Sequence, residues 1–236
     1  MKQTCKNETS YPSNNYISYC IMPESATYLF AIPDITCIGL GGSPVTFDHQ
    51  YDDIIGEAFF SKDWMAGTAY TSTGKKYINL KLKFDVYANK LFADLNGTVY
   101  DVTIANISRF DLYPNANDTA TMLTFIKGFK SADFNSEKYL QVLSQGKLSF
   151  VKYLSKDIKE VYENGPLDKQ KKLIDNNRYY VVSEAGDAAD AKLNKKSMEK
   201  IIGSKWNDVN KYASDNKLSF SSEEDWGKLI QYYNKL

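Results

Sequence analysis

His49 is the only imidazole in the 236 residues, so any Ser-His-Asp or Cys-His mechanism in this chain has to run through it. It stands beside Asp48 in a polar stretch, and no Gly-x-Ser-x-Gly motif occurs anywhere. Its plain reading is a surface or structural histidine. Cys5, Cys20 and Cys37 all fall within the first 37 residues, match no tight zinc spacing and lack the context of a reactive thiol. They admit one disulfide with one thiol left over, a count that fits an oxidising or a reducing compartment. The cluster Gly39-Leu40-Gly41-Gly42 lacks the Lys-Ser/Thr ending with which a phosphate-binding loop grips its ligand. Paired carboxylates remain, because glycoside hydrolysis needs only two carboxyl groups ~5–9 Å apart. Asp52, Asp53, Asp63 and Asp85, near Trp64, are the place to look, since an aromatic platform beside carboxylates suits a sugar ring. Hairpin ends and a core tryptophan account for the same residues. The sequence therefore assigns no catalytic residue, no metal ligand and no cofactor-binding residue.

Charge narrows the partners. The 29 basic and 29 acidic residues cancel, which leaves no overall field to draw the chain onto nucleic acid or an anionic membrane. Lys171-Lys172 and Lys195-Lys196 read as solvated faces. Four Asn-x-Ser/Thr matches, at Asn7, Asn96, Asn106 and Asn117, are expected by chance in a chain this rich in Asn and Thr. No stretch reaches the ~20 apolar residues of a membrane-spanning helix. The nearest, Tyr28 to Leu40, is broken by Pro33 and Asp34, and no basic region directly precedes it as a signal peptide requires.

The elements that must position any site are read from periodicity. With 18 Tyr and 12 Phe the composition favours sheet. Ile78, Leu80, Leu82, Phe84 and Val86 alternate with Asn79, Lys81, Lys83 and Asp85, which predicts a long strand over Tyr77 to Tyr87 with one wet face. Gly67 to Thr71 precedes it across the loop Ser72-Thr73-Gly74-Lys75. Leu91 to Leu95 follows, and Asn96-Gly97 is the strongest hairpin signal because both residues tolerate positive φ. Thr98 to Ile104 returns with Tyr100, Val102 and Ile104 on one face, and Phe110 and Leu112 mark the next strand. After the loop at Pro114 to Asp118 comes the apolar run Met122 to Phe129. Tyr139 to Leu143 and Leu148 to Leu154 flank the turn Ser144-Gln145-Gly146-Lys147. Residues 163–177 read as loop, and Arg178 to Val182 pairs in a hairpin with Ala191 to Leu193. The tail changes period: Asn194 caps a helix ending at Gly203, Trp206 and Val209 mark a second, and Ser222 with Asp225 opens a third striped by Trp226, Leu229, Ile230 and Tyr233.

The expectation is an α+β protein, mainly antiparallel hairpins and meander with a short helical C-terminal tail. Its organisation reads as an irregular segment over residues 1–42, a β-rich domain over 43–193 and a helical segment over 194–236 packed on that domain.

The run Trp64 to Thr68, Gly74-Lys75-Lys76-Tyr77, Leu80 to Tyr87, the turn Leu143 to Leu148 and the ending Tyr232-Tyr233-Asn234-Lys235-Leu236 resemble a group of uncharacterised exported proteins of Bacteroidota. The resemblance spans roughly residues 60–236 and rests on strand and turn spacings, so it carries no activity. It implies a periplasmic or outer-membrane-associated location, and under it Asp118-Thr119-Ala120 looks like an O-glycosylation acceptor. The function expected is a non-catalytic cell-envelope protein that binds another macromolecule, an envelope protein or a glycan. Tyr11, Tyr16, Tyr19, Tyr179 and Tyr180 are candidates for an aromatic contact surface, with buried packing as the competing account. The alternative is a carbohydrate-active enzyme or glycan-binding module built on the carboxylates near Trp64.

Overall fold

The computed structural model describes residues 42–46, 51–115, 121–162, 165 and 168–236, all within the unit Ile32–Leu236. Strands and helices are numbered along the chain. Among the described residues, eleven strands form one sheet: β1 (Ser43–Pro44), β6 (Thr98–Asp101), β5 (Lys90–Leu95), β4 (Lys76–Asp85), β3 (Met65–Thr71), β7 (Ile107–Tyr113), β8 (Leu123–Ile126), β9 (Leu140–Ser144), β10 (Leu148–Tyr153), β13 (Arg178–Ser183) and β14 (Ala188–Asp190), in that spatial order. Every neighbouring pair is antiparallel. A second sheet consists of β11 (Lys156–Tyr162), β12 (Lys169–Asp175) and β2 (Ile54–Ile55), with β2 parallel to β12. Helices α1 (Lys195–Ile202), α2 (Trp206–Asp215) and α3 (Glu223–Tyr233) close the chain. This is the α+β architecture that the periodicity predicts.

The large sheet is bent hard. Phe84 on β4 and Phe125 on β8 are separated by three ladders, about 14 Å on a flat sheet. Their ring centroids nevertheless lie 5.3 Å apart, and Phe110 stacks on Phe125 at 4.8 Å. Tyr139 completes the cluster edge-on to Phe84 and sends its hydroxyl to the Ile107 carbonyl at 2.8 Å. At the rim, Asn89 in the β4–β5 turn accepts from the Tyr139 N–H and donates to the Glu137 carbonyl, both at 3.0 Å. These contacts require a concave face, and the buried Leu82, Leu91, Ile107 and Leu112 fill it.

The other half of the sheet is covered on both sides. Helix α3 lies on β9 and β10, burying Trp226, Leu229 and Ile230 against Phe150 and Val181. On the opposite face Phe134 packs on Tyr180 and Tyr153. Double cover explains why β13 reads as a continuous run, Tyr179-Tyr180-Val181-Val182, rather than an alternation. Asn194 caps α1 by accepting from the Ser197 N–H at 2.9 Å, and Gly203, at φ 62°, ends it. Ser222 caps α3 through the Asp225 N–H, while the Asp225 carboxylate accepts from the Ser219 N–H. The last turn is pinned by Asn234, whose side-chain amide both accepts from the Leu148 N–H and donates to the Leu148 carbonyl, each at 2.8 Å.

Four expectations are corrected. Ile78 is 48% exposed and Tyr77 takes its place inside, because Asn79 adopts φ 57° and the pairing with β3 shifts by one residue there, reversing the alternation. Ile104 is 68% exposed, since the chain leaves the strand after Asp101 and turns through Thr103–Ala105, burying Val102 alone. Residues 163–177 include strand β12, which has two wet faces and only Leu173 buried, so burial imprints no alternation on it. The partner of β13 begins at Ala188 instead of Ala191, because Gly186 at φ 86° closes the turn early with a Gly186 N–H to Ser183 carbonyl bond of 2.9 Å.

Trp226→Ala is expected to cost ~3–5 kcal/mol in chemical denaturation, since the fully buried ring leaves a cavity and its Nε1–H loses the Phe220 carbonyl at 2.6 Å. An unchanged midpoint would mean that α3 does not hold the sheet. A Cβ on Gly146 would run into the Asn234 side-chain amide. Gly146→Ala should therefore destabilise by roughly 1–3 kcal/mol in the wild-type background and by much less alongside Asn234→Ala. Equal costs in both backgrounds would dismiss the clash.

Candidate functional site

The carboxylates nominated by sequence differ in burial. Asp85 is fully buried at the end of β4, where it accepts from the Tyr51 hydroxyl at 2.5 Å and the Ala88 N–H at 2.8 Å. Burial raises its pKa above the ordinary carboxylate value, against the pull of those donors. Both tyrosine contact and turn hydrogen bond make it the brace of the β4–β5 corner. Lys81 and Lys83 lie 5.8 Å and 5.9 Å from the Trp64 ring. Lys81 in turn holds Asp94 at 2.7 Å. Asp52, Asp53 and Asp63 are exposed.

Tyr179 and Tyr180, the described tyrosines among those offered as a contact surface, are packing residues. Tyr180 is fully buried, and Tyr179 stacks on Phe150 at 5.7 Å beneath the Lys152 ammonium. Asn96 and Asn106 both sit at positive φ in turns, which accounts for asparagine at each. His49, the three cysteines, Tyr11, Tyr16, Tyr19, Asn7, Asn117, the stretch Gly39 to Gly41 and Asp118-Thr119-Ala120 lie outside the described residues. Among the described residues no group of three or more His, Cys, Asp or Glu is placed to hold a metal ion. No described helix is long and apolar enough to cross a membrane.

A polar cleft of about 520 Å³ opens where four separate segments meet. The β4–β5 turn contributes Tyr87 and Asn89, and the segment before β9 contributes Asp133 and Lys138. Tyr153 comes from the end of β10, Ser155 from the link that follows, Lys156 and Asp157 from the start of β11, and Asn176 and Arg178 from the entry into β13. The charges inside it are largely matched. Arg178 and the Tyr180 hydroxyl, the latter at 2.6 Å, both donate to Asp133. The Tyr180 hydroxyl, with Arg178 behind it, holds the Asp133 carboxyl below the usual range. Burial, and then the bond to Asp133, push the Tyr180 phenol up to about 12. Asn176 donates to Asp157 at 2.8 Å, and Lys156 reaches Asp175 at 2.6 Å.

Such a lining suits recognition of hydroxyl groups. Asp133 is poised as a permanent hydrogen-bond acceptor, whereas a general acid needs a raised pKa. Tyr87 and Tyr153 offer aromatic surface beside carboxylates and amides, the combination that the sequence places at Trp64. Sequence reasoning misses Asp133, Asp157, Asn176 and Arg178 because each is an ordinary polar residue in a loop or near a strand end, with no spacing that links it to the others.

A second polar cluster lies on the convex face. Asp111, almost fully buried, takes two bonds of 3.0 Å from Arg109 and one of 2.8 Å from the Thr124 hydroxyl, while the guanidinium sits 4.9 Å over the Tyr70 ring. Every member is engaged with another, so the cluster pins β3, β7 and β8 together. Comparison with protein families, with curated proteins and with solved structures found no match.

Tyr180→Phe removes a donor from Asp133 and should raise that carboxyl's pKa toward its ordinary value, read by ¹³C titration of the carboxyl group. Because a depressed folded pKa stabilises only above the unfolded value and loses that stability as pH falls through it, the variant's acid-side loss of stability should be shallower than wild type. An unmoved Asp133 titration would show that the hydroxyl does not set its charge.

Proposed function

We propose that this chain is a non-catalytic cell-envelope protein that binds a macromolecular partner, and that the partner is a glycan engaged through the Tyr87–Tyr153 cleft. The observation that carries the reading is the cleft's lining: carboxylates, amides, cations and tyrosine rings around a volume of about 520 Å³, with Asp133 kept ionised by Tyr180 and Arg178. Ring faces cover the apolar side of a sugar, and carboxylates and amides bind its hydroxyls in pairs. Envelope location is supported by the resemblance to exported Bacteroidota proteins alone. The cancelled net charge speaks against a nucleic-acid partner.

The test is calorimetry of the purified chain against bacterial polysaccharides and their oligosaccharides, with product analysis by chromatography. Saturable binding without release of new reducing ends is expected. Lys138→Ala and Asp157→Asn, both in the lining, should each weaken it about tenfold while the circular dichroism spectrum stays unchanged. Absence of binding across the panel overturns the glycan assignment, and depolymerised product overturns the non-catalytic one.

A further inference from the structure

Strand β11 is an edge. In the small sheet it pairs with β12 on one side, and among the described residues no strand lies on the other. Its burial matches: Asp157, Ile158, Lys159, Glu160 and Tyr162 are exposed, with Ile158 at 38% and Tyr162 at 57%. Soluble proteins usually guard such an edge with charge, a bulge or proline. Here the edge is seven residues of regular ladder with no bulge and no proline, and its charges, two lysines and two acids, alternate in sign about Ile158.

The phase of the ladder fixes which backbone groups point outward. The Asn176 N–H donates to the Ser155 carbonyl at 2.8 Å while the Ser155 N–H turns to the Asn177 side chain, so the backbones of Ser155 and Asn176 face each other and set the phase of the ladder. Alternation then turns the backbone of Asp157, Lys159 and Val161 toward β12 and leaves that of Lys156, Ile158 and Glu160 facing the open side. A strand added antiparallel must meet these outward groups with outward groups of its own.

We propose that the occupant of this edge is β11 of a second copy of the same chain, antiparallel about a two-fold axis through Ile158. In that register Lys156 opposes Glu160 of the second copy, Asp157 opposes Lys159, and Ile158 meets its own equivalent. All four charged positions face the opposite sign, and each pairing occurs twice. Shifting the axis to Lys159 sets that lysine against itself, and shifting it to Asp157 sets two aspartates together. The Ile158 register alone of the three satisfies charge while bringing outward N–H and carbonyl groups face to face. Within one chain Lys159 stands across the ladder from Lys172 and has no carboxylate partner among the described residues, so Asp157 of the second copy supplies what the monomer lacks. The product is a six-stranded sheet with an isologous interface. A contact of one strand pair is small against the ~1,600 Å² of standard interfaces, so the dimer forms in the micromolar range or weaker.

Sedimentation velocity across a concentration series tests it. A shift from 26.8 kDa toward twice that mass is expected as concentration rises. Lys159→Glu and Asp157→Lys should each raise the dissociation constant at least tenfold, and the two together should restore it, because every contact pairs one position with the other across the axis. Ile158→Pro removes an outward N–H while sparing the β12 ladder, and should leave a folded monomer. Hydrogen exchange should slow at the Lys156, Ile158 and Glu160 amides in the dimer only, with Asp157 and Lys159 already protected in the monomer. A chain monomeric at millimolar concentration overturns the proposal. So does a dimer unmoved by Lys159→Glu, or a charge-swapped double variant that fails to recover.

Discussion

Phe84 and Phe125 touch although three ladders lie between them, and a sheet can satisfy that contact only by folding over its own aromatic side chains. The bend brings the β4–β5 turn to the segment before β9, so Asn89 can bind both Glu137 and Tyr139. It also decides where polar residues end up. Arg109, Asp111 and Thr124 are displaced to the convex side, where they saturate one another, and the rim where the ends of the sheet approach becomes a cleft. A flatter sheet would leave Tyr87 and Tyr153 far apart, with no shared cavity to line.

Local signals were readable wherever one residue type answers one geometric demand. Asn96-Gly97 adopts φ of 57° and 84° in the turn that its sequence announces, and Asn194 and Ser222 cap the helices they precede. Leu82 and Phe84 lie on the face that the alternation assigns them. The alternation fails where the backbone inserts or removes a residue without a compositional mark, as at Asn79, or where burial never acts on a strand, as in β12. The cleft was unreadable for a different reason: Asn89, Asp133, Asp157 and Arg178 belong to segments joined only through the curl. A curl produced by ring contacts among distant strands leaves no periodicity to count.

Electrostatics in this molecule works chiefly by local neutralisation. Asp94 has Lys81, Asp111 has Arg109, Asp133 has Arg178, Asp175 has Lys156 and Glu223 has Lys152. Exposed pairs of this kind contribute little each, about 0–1 kcal/mol, but they choose between strand registers because a wrong neighbour is penalised. The Lys152–Glu223 bond at 2.7 Å aligns α3 along β10 in the same manner. Asp85 stands apart from this pattern, as its closest partner is the neutral Tyr51 hydroxyl.

β10 pairs residue for residue with β13, although β11 and β12 intervene in the chain. The intervening hairpin leaves the parent sheet at Ser155 and rejoins it at Asn176, where the Ser155 hydroxyl and carbonyl both bond the Asn176 backbone. That clasp closes the hairpin at its base, so the pairing of β10 with β13 runs on undisturbed across the excursion while β12 stays tied to β2.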